Sequence, residues 1–453
     1  MMRSWSLAEI TPVMNAALQD GDLFFTQVST DTRTLEPGAL YVALRGERFD
    51  GHDFIDEAVR RGACAVVADR AVDTIVPVIR VEDTLRALGQ LGAMNRGAFR
   101  RPLVAVTGSC GKTTTKEMLL AVLGLEGNTL ATRGNLNNAI GAPLTLLRLA
   151  PNHDFAVIEL GASAEGDIAW TGSLTRPDVG IITNASEAHL TGFGSLEQVV
   201  RAKGEMIDSV GVDGTVVLNR DDVAFPQWYE RAGDRKVVNV SAQGNEAADL
   251  YATDIAEDSD GVHFRMHAGE EVHEIRIPLA GRHNVANALL VAAAVRALSI
   301  NTETLVRGLA QVPAVSGRLE KIMLGGGLTL LDDSYNANPA SMGAALDALA
   351  ATEGARYALL GDMAELGEVS AQHHRRIGAL AASLQLDGLG ATGDYADEYV
   401  RGFGEGAWSA KDKDSLVENF LSRYSAPATV LVKGSRSTGM DRVVASLKQR
   451  MDS

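Results

Sequence analysis

Hydrophobic positions along the chain fall into two alternating textures. Short unbroken runs of leucine, valine, isoleucine and alanine are separated by stretches in which apolar residues return at helical spacing. In the opening hundred residues, 40–44 and 63–68 read as strands, split by a turn-rich segment at 46–51. Residues 53–61 read as a helix on the recurrence of Phe54, Ile55 and Ala58. The basic stretch 95–102 reads as a linker, with the chain restarting in extended form at Pro102. A second block opens with the apolar run 103–106 and continues through strands at 156–160, 179–183 and 215–218. Residues 249–277 alternate and suggest added antiparallel strands, and a helix over 284–298 closes the block. A third block repeats the pattern, with strands at 328–331, 357–360 and 429–432 and a helix over 339–350.

Buried β-branched runs separated by helices predict mainly parallel sheets covered on both faces. The fold class expected is α/β in three domains. Residues 1–100 form a small N-terminal α/β domain, 101–313 a central domain with a P-loop-type mainly parallel sheet, and 314–453 a Rossmann-like C-terminal domain. Length agrees, since 453 residues at roughly 150 per domain give about three.

Composition narrows the function. The formal charge of −16 argues against a protein that binds nucleic acid through a broad basic surface. Cys64 and Cys110 are the only cysteines, too few for a disulfide scaffold or a four-cysteine zinc site, and they suit a reducing cytoplasm. The longest apolar run, 288–295, is far short of the roughly 18 residues that suggest a membrane span. A cytoplasmic protein with no membrane or nucleic-acid partner is expected.

Chemistry concentrates after the strand at 103–106. Thr107-Gly108-Ser109-Cys110-Gly111-Lys112-Thr113-Thr114-Thr115 leads directly into a helix-like segment. Small residues there let successive backbone N–H groups face one hollow at a helix start, where the dipole favours anions. Gly108, Ser109, Cys110, Gly111, Lys112, Thr113 and Thr114 are the expected phosphate contacts. Lys112 would reach the outer phosphates, and the Thr113 hydroxyl would hold magnesium. Val106 stands where the common pattern has its first glycine, so the loop is a shorter type opening at Gly108. The plain alternative is a tight turn with an incidental lysine, which the strand–turn–helix context disfavours. Cys110, with no histidine near it in sequence, reads as a small filler.

Glu159 ends the strand at 156–160, and ligands of parallel sheets gather beyond such carboxyl ends. It is a candidate magnesium ligand, with a structural edge glutamate as the alternative. His189 follows the strand at 179–183 and is a candidate for the same metal or phosphate. Lys203, on a helix around 199–205, reads from sequence alone as a solvated charge.

Together the phosphate loop, Glu159, Glu187-Ala188-His189-Leu190 and Ala202-Lys203-Gly204-Glu205 resemble the Mur ligases, which extend the peptide of the peptidoglycan precursor. Residues 281–288 are similar to that family's nucleotide-base segment, which would bring Asn284 and Asn287 near the adenine. Arg318 resembles an arginine that reaches the triphosphate, and Asp333 and Asn338 would meet ribose or phosphate. Residues 133–144, 360–367 and 432–436 resemble the branch that joins D-alanyl-D-alanine to UDP-N-acetylmuramoyl-tripeptide. Asn137 and Asn138 in the first of these are expected substrate contacts. Thr30, Thr32 and Arg33, with Gly46, Glu47, Arg48 and Phe49, resemble segments that bind the UDP-sugar.

The resemblance implies ATP as co-substrate, Mg2+ on Thr113, Glu159 and His189, and a Lys203 carbamylated by carbon dioxide beside a second magnesium. Lys112, His189 and Lys203 are then the expected catalytic residues. The reaction implied runs through an acyl phosphate, with closure of the third domain about 313–318. A monomer is expected. Two rivals remain at this stage: a folylpolyglutamate-type amide ligase, which would leave the first block without a task, and an ATP-hydrolysing switch protein that makes no amide.

Overall fold

The computed structural model describes residues 2–19, 21–46, 49–187, 190–258 and 261–451. Its first unit is a five-stranded sheet in the spatial order Ala17–Gln19, Val78–Arg80, Ala65–Ala68, Leu40–Val42, Val28–Ser29, parallel except for the first pair. Because Val28–Ser29 and Leu40–Val42 run parallel side by side, the segments that follow them leave the same edge. Thr30, Thr32 and Arg33 thus share an edge with the loop through Gly46.

The central sheet has nine strands. In space they run Thr129–Ala131, Phe155–Glu159, Leu103–Thr107, Val179–Ile182, Thr215–Asn219, Lys236–Ser241, Leu250–Asp258, Gly261–Ala268 and Glu271–Ile277. The first seven are mutually parallel, and the last two complete an antiparallel flap. Side chains of a strand alternate between faces, and the packing follows. Val104 and Val106 join a core with the helices Lys112–Leu123 and His283–Ala297, whereas Leu103 and Ala105 join one with Asp167–Thr175 and Leu196–Ser209.

The third unit is a six-stranded sheet ordered Glu320–Met323, Leu328–Asp333, Ala428–Lys433, Ala355–Leu360, Gly388–Thr392, Ala407–Ala410, with only the first strand antiparallel. The helix expected over 339–350 is Pro339–Ala350, capped by Asn338, whose side chain accepts from the Ser341 N–H. Among the described residues no helix is long and apolar enough to cross a membrane.

The linker expectation fails. Residues 95–98 are not linker but the end of the helix Thr84–Ala98. Asn95 and Arg96 are buried, and the Arg96 guanidinium donates to the carbonyls of Thr175, Phe99 and Arg176 and meets the Asp178 carboxylate at 3.1 Å. The charge that reads as a solvated linker instead fixes this helix to the central unit.

Candidate active site

The register of the central sheet assembles the site. Leu103–Thr107 lies between Phe155–Glu159 and Val179–Ile182, with Glu159 opposite Val106 and Ile182 opposite Thr107. The phosphate loop, Glu159 and residues 183–186 therefore emerge together at one carboxyl edge, the usual ligand edge of a parallel sheet. Beyond it opens a cleft of about 1100 Å3 that also receives residues of the third unit.

Two glycines let the loop curl. Gly108 has φ +145°, and a Cβ there would stand 1.9 Å from the Thr183 hydroxyl; at Gly111, φ +80°, it would stand 2.5 Å from Asn287 Oδ1. Thr183 and Asn184 grip the loop from the next strand. Thr183 Oγ1 donates to the Cys110 carbonyl at 2.6 Å, and the Cys110 N–H donates to Asn184 Oδ1 at 2.9 Å. Gly108→Ala is accordingly expected to cost roughly 1–3 kcal/mol of stability through strain and overpacking and to abolish ADP binding. A thermal melt with a nucleotide titration checks both, and retained ADP affinity would show that the loop shape is dispensable.

Lys112 folds back so that its Nζ donates to the carbonyls of Gly108 at 2.7 Å and Ser109 at 3.3 Å. Desolvation deep in the cleft pushes its pKa down, opposed by the Glu159 carboxylate. Thr113 Oγ1 donates to Glu159 Oε2 at 2.8 Å, and Asn137 Nδ2 donates to Glu159 Oε1 at 2.7 Å. The Glu159 backbone N–H is held by Thr132 Oγ1 at 2.9 Å. Glu159 is buried, and among the described residues the donors on its oxygens are neutral, an arrangement suited to meeting a cation. Among the described residues no three His, Cys, Asp or Glu side chains gather as a metal cluster. A divalent ion here would take Thr113, Glu159 and phosphate oxygens, the habit of magnesium.

Lys203 overturns the solvated reading. It is 2% exposed on the helix Leu196–Ser209, with its Nζ 5.4 Å from the Phe193 ring centroid. Burial, then the nearby Lys112 charge, pushes its pKa down to about 7, while Asp167 and Glu205 pull the other way. Neither acid is idle. Asp167 Oδ2 accepts the Ser163 and Ala164 N–H groups, and Glu205 accepts those of Gly166 and Ala169. Together they brace the start of the helix Asp167–Thr175.

The nucleotide candidates of the third unit reach the same cleft. Asn338 Nδ2 lies 3.3 Å from Cys110 Sγ, so the two units touch across the phosphate loop. Asp333 Oδ1 accepts the Leu319 N–H at 3.1 Å, and its other oxygen pairs with Lys433 at 2.6 Å. Arg318 lies against the Tyr335 ring, 4.4 Å from its centroid. Asn284 and Asn287 line the cleft but spend their amides locally. Asn287 accepts from Thr115 Oγ1 at 3.4 Å and donates to Asn284, which donates to the Ala280 carbonyl. Asn138 also lines the cleft, and its Oδ1 accepts the Gly141 N–H at 2.9 Å, where the helix Gly141–Leu146 begins.

Thr30, Thr32, Arg33, Gly46 and Phe49 lie outside this cleft, at the edge of the first sheet. Arg33 is bound to Asp31 at 2.7 Å, and Phe49 is exposed beside Gly46. Glu47, Arg48 and His189 lie outside the described residues. Sequence reasoning missed Asn184, Lys433, Tyr335 and the pair Asp167–Glu205 as individual site residues. The carboxyl-edge argument that selected Glu159 applies equally to Asn184, two residues past its own strand.

Comparison with known proteins adds three domain matches. Residues 25–96 match the Mur ligase family catalytic domain, 106–295 the Mur ligase middle domain, and 317–436 the Mur ligase glutamate ligase domain. The chain is 43% identical over 450 residues to the UDP-N-acetylmuramoyl-tripeptide–D-alanyl-D-alanine ligase of Escherichia coli K12, covering 99% of each. A crystal structure of MurF from Acinetobacter baumannii superposes with a TM-score of 0.94 at 34% identity over 99% of both chains. The MurF ligase of Thermotoga maritima in complex with ADP superposes at 0.84, with 27% identity over 94% of this chain and 98% of that one.

Proposed function

The chain belongs to the Mur ligase family, and from that premise we propose that it joins D-alanyl-D-alanine to UDP-N-acetylmuramoyl-tripeptide at the expense of ATP, in peptidoglycan synthesis. The observation that carries this reading is the convergence of the phosphate loop, Glu159 and the third-unit residues on one cleft, together with identity to a ligase of that name along nearly the whole chain. A folylpolyglutamate-type ligase would leave the first unit without a task, yet residues 25–96 match a Mur ligase domain.

The tripeptide's terminal carboxylate attacks the γ-phosphorus of ATP. An O–P bond forms, ADP leaves, and an acyl phosphate results. The uncharged amine of D-alanyl-D-alanine then attacks the acyl carbon, and loss of phosphate and a proton gives the amide. Bringing carboxylate and triphosphate together sets anions against one another, by up to several kcal/mol in a cleft of intermediate dielectric. Lys112 and Arg318 offset that repulsion. Magnesium held by Thr113 and Glu159 would supply further charge neutralisation, with His189 assigned to the same ion by resemblance.

Carbamylation needs the free amine of Lys203: its nitrogen bonds to the carbon of carbon dioxide as one C–O π bond opens, the nitrogen loses a proton, and the neutral amine becomes an anionic carbamate. A pKa near 7 keeps a large share of that amine neutral at cytoplasmic pH. Thr30, Thr32, Arg33, Gly46, Glu47, Arg48 and Phe49 are assigned to the UDP-sugar, and Asn137 and Asn138 to the part of the substrate near the metal. Asn284, Asn287, Asp333 and Asn338 are assigned to the nucleotide. The protein acts in the cytoplasm as a monomer, and the third unit closes over substrate about 313–318, excluding water from the acyl phosphate.

Incubation with UDP-N-acetylmuramoyl-tripeptide, ATP, magnesium and D-alanyl-D-alanine tests the reading by product mass. One dipeptide added per phosphate released is expected. Phosphate release that is indifferent to the dipeptide, with no mass gain, would favour a hydrolytic switch.

A further inference from the structure

The third unit brings two arginines to the cleft, Arg318 and Arg436, and both pack on one aromatic ring. Their guanidinium carbons lie 4.4 and 5.5 Å from the Tyr335 centroid. All three residues line the cleft. Among the described residues neither arginine makes an ion pair, in contrast to Lys433 on the same sheet edge, whose charge is met by Asp333. A guanidinium steadied by a ring rather than by a carboxylate keeps its planar fork of donors for a ligand.

Arg318 is occupied by the triphosphate in the reading above, and Arg436 has no task there. Its position is nonetheless built. It opens the turn Arg436–Thr438, which leaves the carboxyl end of the strand Ala428–Lys433 inside the six-stranded sheet. Ser435, at the foot of the turn, is 1% exposed and donates its N–H to the Asp362 carbonyl at 2.9 Å, while the Thr438 N–H returns to the Ser435 carbonyl at 3.0 Å.

The reaction leaves one charge without a partner. The dipeptide brings an amine that must be neutral to attack and a carboxylate that takes no part. A cleft already holding a triphosphate and a peptide carboxylate repels a further anion unless a cation receives it. Arginine receives carboxylates in a two-pronged geometry that also fixes direction. We infer that Arg436 binds the C-terminal carboxylate of the incoming dipeptide, turning its amine toward the acyl phosphate and setting a preference for acceptors with a free C-terminal acid. This rests on the D-alanyl-D-alanine reading above. Ala340, Ser341 and Ala344 line the same cleft, which suits an acceptor whose side chains are methyl groups.

The test compares D-alanyl-D-alanine with its C-terminal amide, D-alanyl-D-alaninamide, as acceptors in the complete reaction. The wild type is expected to favour the acid in kcat/KM by about 30-fold or more, since a site built for a charged group rejects an analogue lacking it. Arg436→Met should lose most of that preference through a raised KM for the acid, with the KM for ATP and for the UDP-precursor unchanged. Arg436→Lys should recover part of it. A wild type indifferent to acid or amide overturns the inference without recourse to any variant. So does an Arg436→Met enzyme that keeps the preference or loses ATP affinity instead. Absence of product from D-alanyl-D-alanine itself would sink the parent reading, and the inference with it.

Discussion

Lys112→Ala is expected to fold normally, to bind the UDP-precursor as the wild type does, and to lose turnover by on the order of 10^3-fold or more, the scale on which a cation at transferring phosphate acts. Among the described residues the lysine caps no helix and joins no apolar core; its Nζ donates to the Gly108 and Ser109 carbonyls of the phosphate loop. Its removal also relieves a desolvated charge, so the melting temperature should not fall. Thr30, Thr32, Arg33, Gly46 and Phe49, proposed above to meet the UDP-sugar, do not line this cleft, and separate sites respond independently. Binding of the precursor measured beside steady-state turnover separates the two effects. Undiminished turnover would remove the loop from the mechanism.

Lys203→Met is expected to be both dead and more stable. The wild-type lysine has a folded pKa of about 7 against a reference of 10.5. Below pH 7 the amine is charged in both states, and the cost of burying that charge falls in full on the folded protein. Between about pH 7 and 10.5 the unfolded chain binds more protons, so wild-type stability climbs with pH; above that range the cost is gone. Methionine, of similar length and without charge, escapes the cost at every pH. In buffer free of carbon dioxide the variant should therefore melt several degrees above the wild type at pH 6.5, equivalent to a few kcal/mol at most. The gap should narrow steadily toward pH 10. Wild-type activity should rise with added bicarbonate, and carbon-13 carbon dioxide should give a carbamate resonance that the variant lacks. A variant less stable than wild type at pH 6.5 would contradict the burial argument.

The fold was legible wherever burial is symmetrical. Parallel strands covered on both faces read as unbroken apolar runs, and those at 103–106 and 179–183 appear as Leu103–Thr107 and Val179–Ile182. Polar residues with internal partners were not legible. Arg96 donates to a carbonyl 79 residues away, and nothing near it in sequence distinguishes that from a solvated linker cation.

Lys203 lies between these cases. Val199, Lys203 and Met206 follow helical spacing, and all are buried, so its place on an apolar face was readable although its polarity suggested solvent. At the site, the loop and Glu159 followed from chain order and the sheet-edge rule. The contacts Cys110–Asn338 and Asp333–Lys433 bring together residues 228 and 100 positions apart, and only the packed structure pairs them.

The central claim is that a peptide carboxylate is phosphorylated before it is joined to an amine, and oxygen-18 in that carboxylate tests it most directly. Attack on the γ-phosphorus makes one carboxylate oxygen the bridge of the acyl phosphate, and departure of phosphate carries it away. With UDP-N-acetylmuramoyl-tripeptide labelled at its terminal carboxylate, one oxygen-18 per turnover should appear in inorganic phosphate, beside unlabelled ADP. Unlabelled phosphate, or label in AMP, would contradict the account.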